Sequence, residues 1–334
     1  MEVDKKASIR KEPKRKPWRR WLKRGVTLFF FILVPVLLFS LLRNVDWSEV
    51  VTTLQDYGPL TLLAGLGIAA ASHAVFSGYD LLGKAYTNHK LPVRYVMPLA
   101  FVCYAFNLNF GAWVGGIALR YRLYTRFGLS VGNITRVLSL SLITNWLGYM
   151  MLAGTIFTLR LVTLPERWQV GVAGLQLIGV GLLAVSFLYL AACRFSKRRT
   201  WRWRNHEITL PSLRMALLQA GLGAANWSLM AALVYLLLPE GIFYPTILGI
   251  LLVSSIAGVV THIPAGLGVL EAVFIALLQH QVATSEILAA LIGYRAIYFL
   301  FPLAVASIIY LILERGSRKD KKLHAGCSDR YGKL

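Results

Sequence analysis

Residues 95–119 read YVMPLAFVCYAFNLNFGAWVGGIAL. The stretch is long and apolar enough to cross a bilayer once, since a spanning helix needs about 20 apolar residues. Its flanks forbid that reading. Lys84, Lys90 and Arg94 precede it, and Arg120, Arg122, Arg126 and Arg136 follow it. Lys and Arg gather in cytoplasmic loops close to span ends, so both flanks belong on the inner side. A single crossing would strand four arginines outside. The economical solution is a hairpin that enters from the cytoplasmic side and returns to it. Asn107, Asn109, Gly111, Gly115 and Gly116 crowd its middle, where a turn belongs.

Working outward, six other stretches read as full spans: 26–42, 59–83, 133–159, 170–193, 212–238 and 287–313. The composition agrees with a membrane protein. Of 334 residues, 57% are hydrophobic and 15% charged, where a soluble domain carries roughly a quarter charged. The apolar run at 26–42 follows a long basic stretch and lacks a small-residue cleavage site, so it reads as a retained first span and not a signal peptide. The segments 1–25, 84–94, 120–136, 194–214 and 314–334 hold 32 of the 36 Lys and Arg residues. This distribution accounts for the net charge of +21 without nucleic acid, and the basic face can also hold anionic headgroups. Asp46–Asp56, Glu166, Glu240 and Glu286 mark the outer side, and both termini fall in the cytoplasm.

The same accounting makes 243–280 a second hairpin, entering from outside. Its middle, Thr261-His262-Ile263-Pro264-Ala265-Gly266-Leu267-Gly268, cannot be unbroken helix. The expected fold class is therefore an all-α polytopic membrane protein with six spans and two oppositely oriented re-entrant hairpins. Its segments are a basic tail (1–25), a first repeat (26–160), an inverted second repeat (170–313) and a basic tail (314–334). Inverted repeats with broken helices meeting near the midplane are common in secondary transporters. A faint match supports the symmetry: Val114–Arg120 aligns with Ala265–Glu271, with opposite charges at the last position.

Charged groups inside a bilayer are functional candidates by default. Asp80 reads either as a coupling group or as a local ion pair with Lys84, four residues on. Arg120 reads as a substrate contact or an interfacial anchor. Glu271, seven residues past Pro264, has no basic neighbour in sequence. Arg295, in Gly293-Tyr294-Arg295, lies inside the last span and either snorkels outward or faces inward. Together these suggest a polar cavity between the hairpins, shared by Glu271, Arg295 and Arg120. A guanidinium there would hold a phosphate, and exposed N–H groups at the Gly-rich tips would assist. The candidate substrate-binding residues are Asn107, Asn109, Gly115, Gly116, Arg120, His262, Pro264, Gly266, Gly268, Glu271 and Arg295. Glu271 and Asp80 are the candidates for proton or ion coupling.

His73 reads as a hydrogen-bonded structural residue. Trp18, Trp21, Trp47, Trp168, Trp201 and Trp203 lie near span borders, as interfacial anchors do. Cys103, Cys193 and Cys327 follow no metal or redox spacing. The sequence carries no HExxH, GxSxG or P-loop. It therefore calls for no metal, no cofactor and no enzymatic activity.

At Pro264-Ala-Gly-Leu-Gly-Val-Leu-Glu271 the chain resembles the lysylphosphatidylglycerol synthase/flippase transmembrane family, in its inner-membrane branch without the synthase domain. The family pattern there is close to P-x-P-G-G-x-G-x-x-E. Pro264, Gly266, Gly268 and Glu271 match it, while His262 and Ala265 depart from it. Asn107 to Arg120 is similar to the family's Asn, Gly-rich and Arg stretch without its usual Pro, and Tyr294-Arg295 resembles a late Tyr-Arg. The resemblance implies translocation of a phospholipid or related amphiphile between leaflets of the bacterial inner membrane. It does not carry over aminoacylation, because about twenty residues follow the last span. The competing expectation is a non-transporting scaffold that presents anionic lipid to a lipid-synthesis enzyme. An intramembrane lipid-modifying enzyme is a third.

Overall fold

A computed structural model of the protein describes residues 52, 54–162, 172–196, 200–203, 206–261 and 268–314. The expected span 26–42, both basic tails and the second hairpin's tip, including His262, Pro264 and Gly266, lie outside the described residues. What is described is a helical bundle. Helix α1 covers Pro59–Thr87, with Pro at its first position where the missing N–H costs nothing. Helix α2 (Val93–Gly111) and a wide-turned π segment (Ala112–Ala118) lead into α3 (Leu119–Arg126). Helix α4 covers Val131–Thr158, capped by the Ser130 side chain, which accepts from the Asn133 N–H. Helix α5 (Val172–Phe195) is followed by a short antiparallel ribbon, β1 (Thr200–Trp203) on β2 (His206–Thr209). Helices α6 (Leu213–Leu237), α7 (Tyr244–Thr261) and α8 (Val269–Leu278) come next. Helix α9 starts at Thr284–Arg295, widens into π geometry over Ala296–Leu300 and continues to Glu314.

Six described helical stretches are long and apolar enough to cross a membrane: Pro59–Thr87, Val93–Arg126, Val131–Thr158, Ala173–Phe195, Leu213–Leu237 and Thr284–Glu314. Val93–Arg126 meets the length criterion without being one rod, because the chain turns back within it. Gly111 adopts φ +81°, a left-handed conformation that glycine reaches without steric cost. Beyond it the backbone returns along α2. A Cβ on Gly115 would lie 2.2 Å from the Phe106 carbonyl carbon and the Asn107 nitrogen. The two ends of the reversal meet where the Tyr95 and Phe127 ring centroids are 5.3 Å apart. The reversal falls where the glycines predicted it, but its return arm runs on to Arg126, seven residues past the expected boundary at 119.

Helices α7 and α8 pack against each other. At ten residues, α8 is about 15 Å long, half the thickness of a bilayer core. Helices α4 and α6 cross at Gly148 and Gly223, where a Cβ on Gly148 would come within 2.1 Å of the Gly223 carbonyl carbon. Close approach through small residues is how helices associate in lipid, where no hydrophobic driving force separates them from the solvent. Hydrogen bonds add to the crossing: Gln219 donates to the Thr144 hydroxyl at 3.1 Å, and the Tyr189 hydroxyl donates to Gln219 at 2.9 Å.

Candidate functional site: a cavity at the first chain reversal

Helix α8 is preceded by Gly268, in a left-handed conformation, and carries Glu271 in its first turn. A carboxylate there gains from the unpaired N–H groups of the helix start. Arg295 is the twelfth of the 31 residues of the helix Thr284–Glu314, about 17 Å along it and just over a third of the way from its start. The two side chains meet. Arg295 Nε donates to Glu271 Oε1 at 2.6 Å, and Nη2 donates to Oε2 at 3.1 Å. This two-pronged geometry is the strong form of an Arg–carboxylate pair. The pair keeps 15% and 20% of its side-chain exposure, and the Arg295 guanidinium lies 5.8 Å from the Phe299 ring centroid.

Leu270 and Tyr294, each one residue before a member of the pair, line a cavity of about 690 Å³ together with the first reversal's tip (Asn107, Phe110–Val114), α6, α7 and Phe299; Glu271, Arg295 and Arg120, expected to share a polar cavity, do not themselves line it. Its size suits a ligand site. Most of its wall is apolar; Asn107, Ser254 and Ser255 supply polar side chains. The Tyr294 hydroxyl is buried and has no hydrogen-bond partner among the described residues. An orphaned buried polar group is costly, and Tyr294 is one of the residues that line the cavity. The π segments at 112–118 and 296–300 both border the cavity, and π geometry inside helices often accompanies functional sites.

The remaining expected residues fall in two groups. Asn109 is buried and ties the tip to the last helix, donating to the Ala105 carbonyl at 2.8 Å and the Phe299 carbonyl at 3.3 Å. Gly115 and Gly116 face the outgoing arm, where a Cβ would strike backbone or the Asn107 side chain. Their place is in hairpin packing, with their hydrogens turned to protein. Arg120 does not join Glu271 and Arg295. It is 3% exposed and pairs with Asp80, which is fully buried, at 3.2 Å. The Tyr124 hydroxyl donates to the other Asp80 oxygen at 2.5 Å. Asp80 therefore pairs across elements and not with Lys84, whose ammonium donates instead to the His89 and Leu91 carbonyls at 2.9 and 2.7 Å. Burial, and after it the Lys84 charge, push the His89 imidazole below its ordinary pKa, against the opposing pull of Asp80. Arg122 and Arg126 reach Glu314 at the end of the last helix. The first return arm is thus held by one buried clamp to α1 and a second to the bundle's final turn.

The family profile of the lysylphosphatidylglycerol synthase TM region matches residues 25–306. The chain belongs to the lysylphosphatidylglycerol synthase transmembrane family. Within that family it is 47% identical over 304 residues to the Escherichia coli (strain K12) inner membrane protein YbhN, covering 91% of this chain and 96% of that one. It is 28% identical over 300 residues to the Synechocystis protein slr0712, covering 87% and 92%. More distantly, it is 22% identical over 308 residues to a phosphatidylglycerol lysyltransferase of Staphylococcus xylosus, covering 89% of this chain and 35% of that enzyme. With its apolar helices, the chain is a multi-pass inner membrane protein of this family. The Gly268–Glu271 and Tyr294-Arg295 segments that carry the family resemblance are the ones joined by the ion pair at the cavity.

Proposed function

We propose that the protein is a lipid translocase that moves a phospholipid or related amphiphile between leaflets of the inner membrane. The observation that carries the reading is the two-pronged Glu271–Arg295 pair beside a cavity of ligand size. A charged pair within membrane-spanning segments is costly, and so is a functional candidate by default. Arg295 exchanges Glu271 for the phosphate of an arriving headgroup, since the guanidinium fork fits both partners. Glu271, released from Arg295, is the group through which a coupling proton or ion enters the cycle. The unpartnered Tyr294 hydroxyl donates a further hydrogen bond to the headgroup. The acyl chains remain against the apolar wall or in the bilayer.

In this reading the two chain reversals are re-entrant hairpins of opposite orientation, the halves form an inverted repeat, and both termini are cytoplasmic. Anionic headgroups gather at the basic inner face, and no covalent chemistry is done on the lipid. Purified protein in vesicles should move labelled phospholipid between leaflets faster than protein-free vesicles do. Well-folded protein that moves no anionic, zwitterionic or cationic lipid would favour the scaffold, for which neutralising Arg198, Arg199, Arg202 and Arg204 should then matter more than changing Glu271.

A further inference from the structure

A second concavity, a groove of about 400 Å³, lies between α1, the start of α2 and the end of the last helix. Its wall includes His73, Phe101 and Pro302 and is almost wholly apolar. Between this groove and the cavity stand four buried residues that line neither. Ser72 comes from α1, Tyr104 from α2, Asn226 from α6 and Tyr298 from the last helix's π segment; all are 3% exposed or less. They are bonded as one layer. The Ser72 hydroxyl donates to Asn226 Oδ1 at 2.9 Å and shares a hydrogen bond with the Tyr298 hydroxyl at 2.8 Å. The Tyr298 hydroxyl bonds that of Tyr104 at 2.8 Å.

Both concavities touch this layer. On the groove side, the His73 ring centroid lies 5.0 Å from Tyr104 and 4.9 Å from Tyr298. On the cavity side, Tyr294 stacks on Tyr298 at 5.3 Å, and Met230 receives weak hydrogen bonds from Tyr104 and Asn226. Along α2 the groove residue Phe101, Tyr104 and the cavity residue Asn107 follow in order, and along the last helix the cavity residue Tyr294, Tyr298 and the groove residue Phe301 do so in reverse; in the orientation proposed above, these walls put the groove on the inner side of the layer and the cavity on the outer.

We infer that the Ser72–Asn226–Tyr298–Tyr104 layer is the gate between the two concavities and the point at which a headgroup crosses. The inference rests on the translocase reading above. An apolar plug would seal the path equally well, but a headgroup passing it would lose every hydrogen bond at once. Hydroxyls and an amide can exchange partners with the headgroup one at a time, so the crossing never leaves a polar group bare. The four members come from four different elements, so a small relative shift of the helices opens the layer.

Two readouts test the gate. In vesicles, Ser72→Ala with Asn226→Leu removes two of the layer's four polar groups and leaves the two tyrosine hydroxyls only each other within it; leaflet exchange should fall at least tenfold while photo-crosslinking of a phospholipid probe in the cavity persists. Unchanged exchange by this variant, folded as judged by its melting temperature, overturns the gate. The second readout needs no transport. In a cysteine-free background with Ser77→Cys in the groove, a membrane-impermeant thiol reagent is applied from outside. It should react at least tenfold faster when Tyr298→Phe and Ser72→Ala loosen the layer. Equal rates in both backgrounds overturn the gate even if no lipid moves. Faster labelling without lipid exchange in any form keeps the gate and refutes the translocase.

Discussion

Asp80→Asn is the substitution whose cost the structure defines best. Asp80 is fully buried, and its partner Arg120 is 3% exposed. Neutralising the carboxylate leaves the guanidinium charged, with its counter-ion gone and water excluded. Removing one member of a buried pair costs about 3–5 kcal/mol, against a total stability of about 5–15 kcal/mol. Near the melting temperature, each kcal/mol is worth roughly 2 °C in a chain of this size, so the melting temperature should fall by roughly 6–10 °C. The assay is thermal unfolding of purified protein in one fixed detergent, read by intrinsic fluorescence. Asp80→Leu combined with Arg120→Met should recover most of the loss, because apolar packing replaces a buried pair at little or no cost. The double variant should also keep leaflet exchange, separating a clamp from a coupling group. A melting temperature for Asp80→Asn within about 1 °C of wild type would refute the clamp.

Other outcomes follow from the same geometry. Gly115→Ala would force a Cβ to within 2.2 Å of the Phe106–Asn107 backbone, so the hairpin must splay and folded yield should drop sharply, measured by size-exclusion recovery. Tyr294→Phe removes a hydroxyl that has no partner among the described residues; stability should hold, while exchange slows by about 2–10-fold, the worth of one hydrogen bond. Glu271→Gln should cost less in melting temperature than Asp80→Asn, since its pair is part-exposed. Cysteines placed from 122 to 130 should resist an impermeant label applied outside, whereas cysteines at 240 and 284 should react; labelling at 122–130 would remove the first hairpin's assigned sidedness.

The chain reversal was legible because two basic flanks and a cluster of glycines pointed to one place, and Gly111 turns there. Glu271 and Arg295 were legible as isolated charges in apolar stretches, and the structure joins them across 24 positions. The partner of Arg120 was not legible. Asp80 is 40 residues away on another helix, and Lys84, one turn along, offered a nearer match that in fact donates to two carbonyls. Nor did Ser72, Asn226 and Tyr298 announce themselves. A single hydroxyl or amide in an apolar run reads the same whether it bonds its own helix or a neighbour. Only packing shows that these three share one layer.

If the Glu271–Arg295 pair works on lipid, leaflet exchange of labelled phospholipid will depend on it, in vesicles carrying wild-type protein, Glu271→Gln or Arg295→Ala. Exchange by the wild type and a loss of at least tenfold in both variants at equal folded amounts are expected. Full exchange by either variant would contradict that dependence.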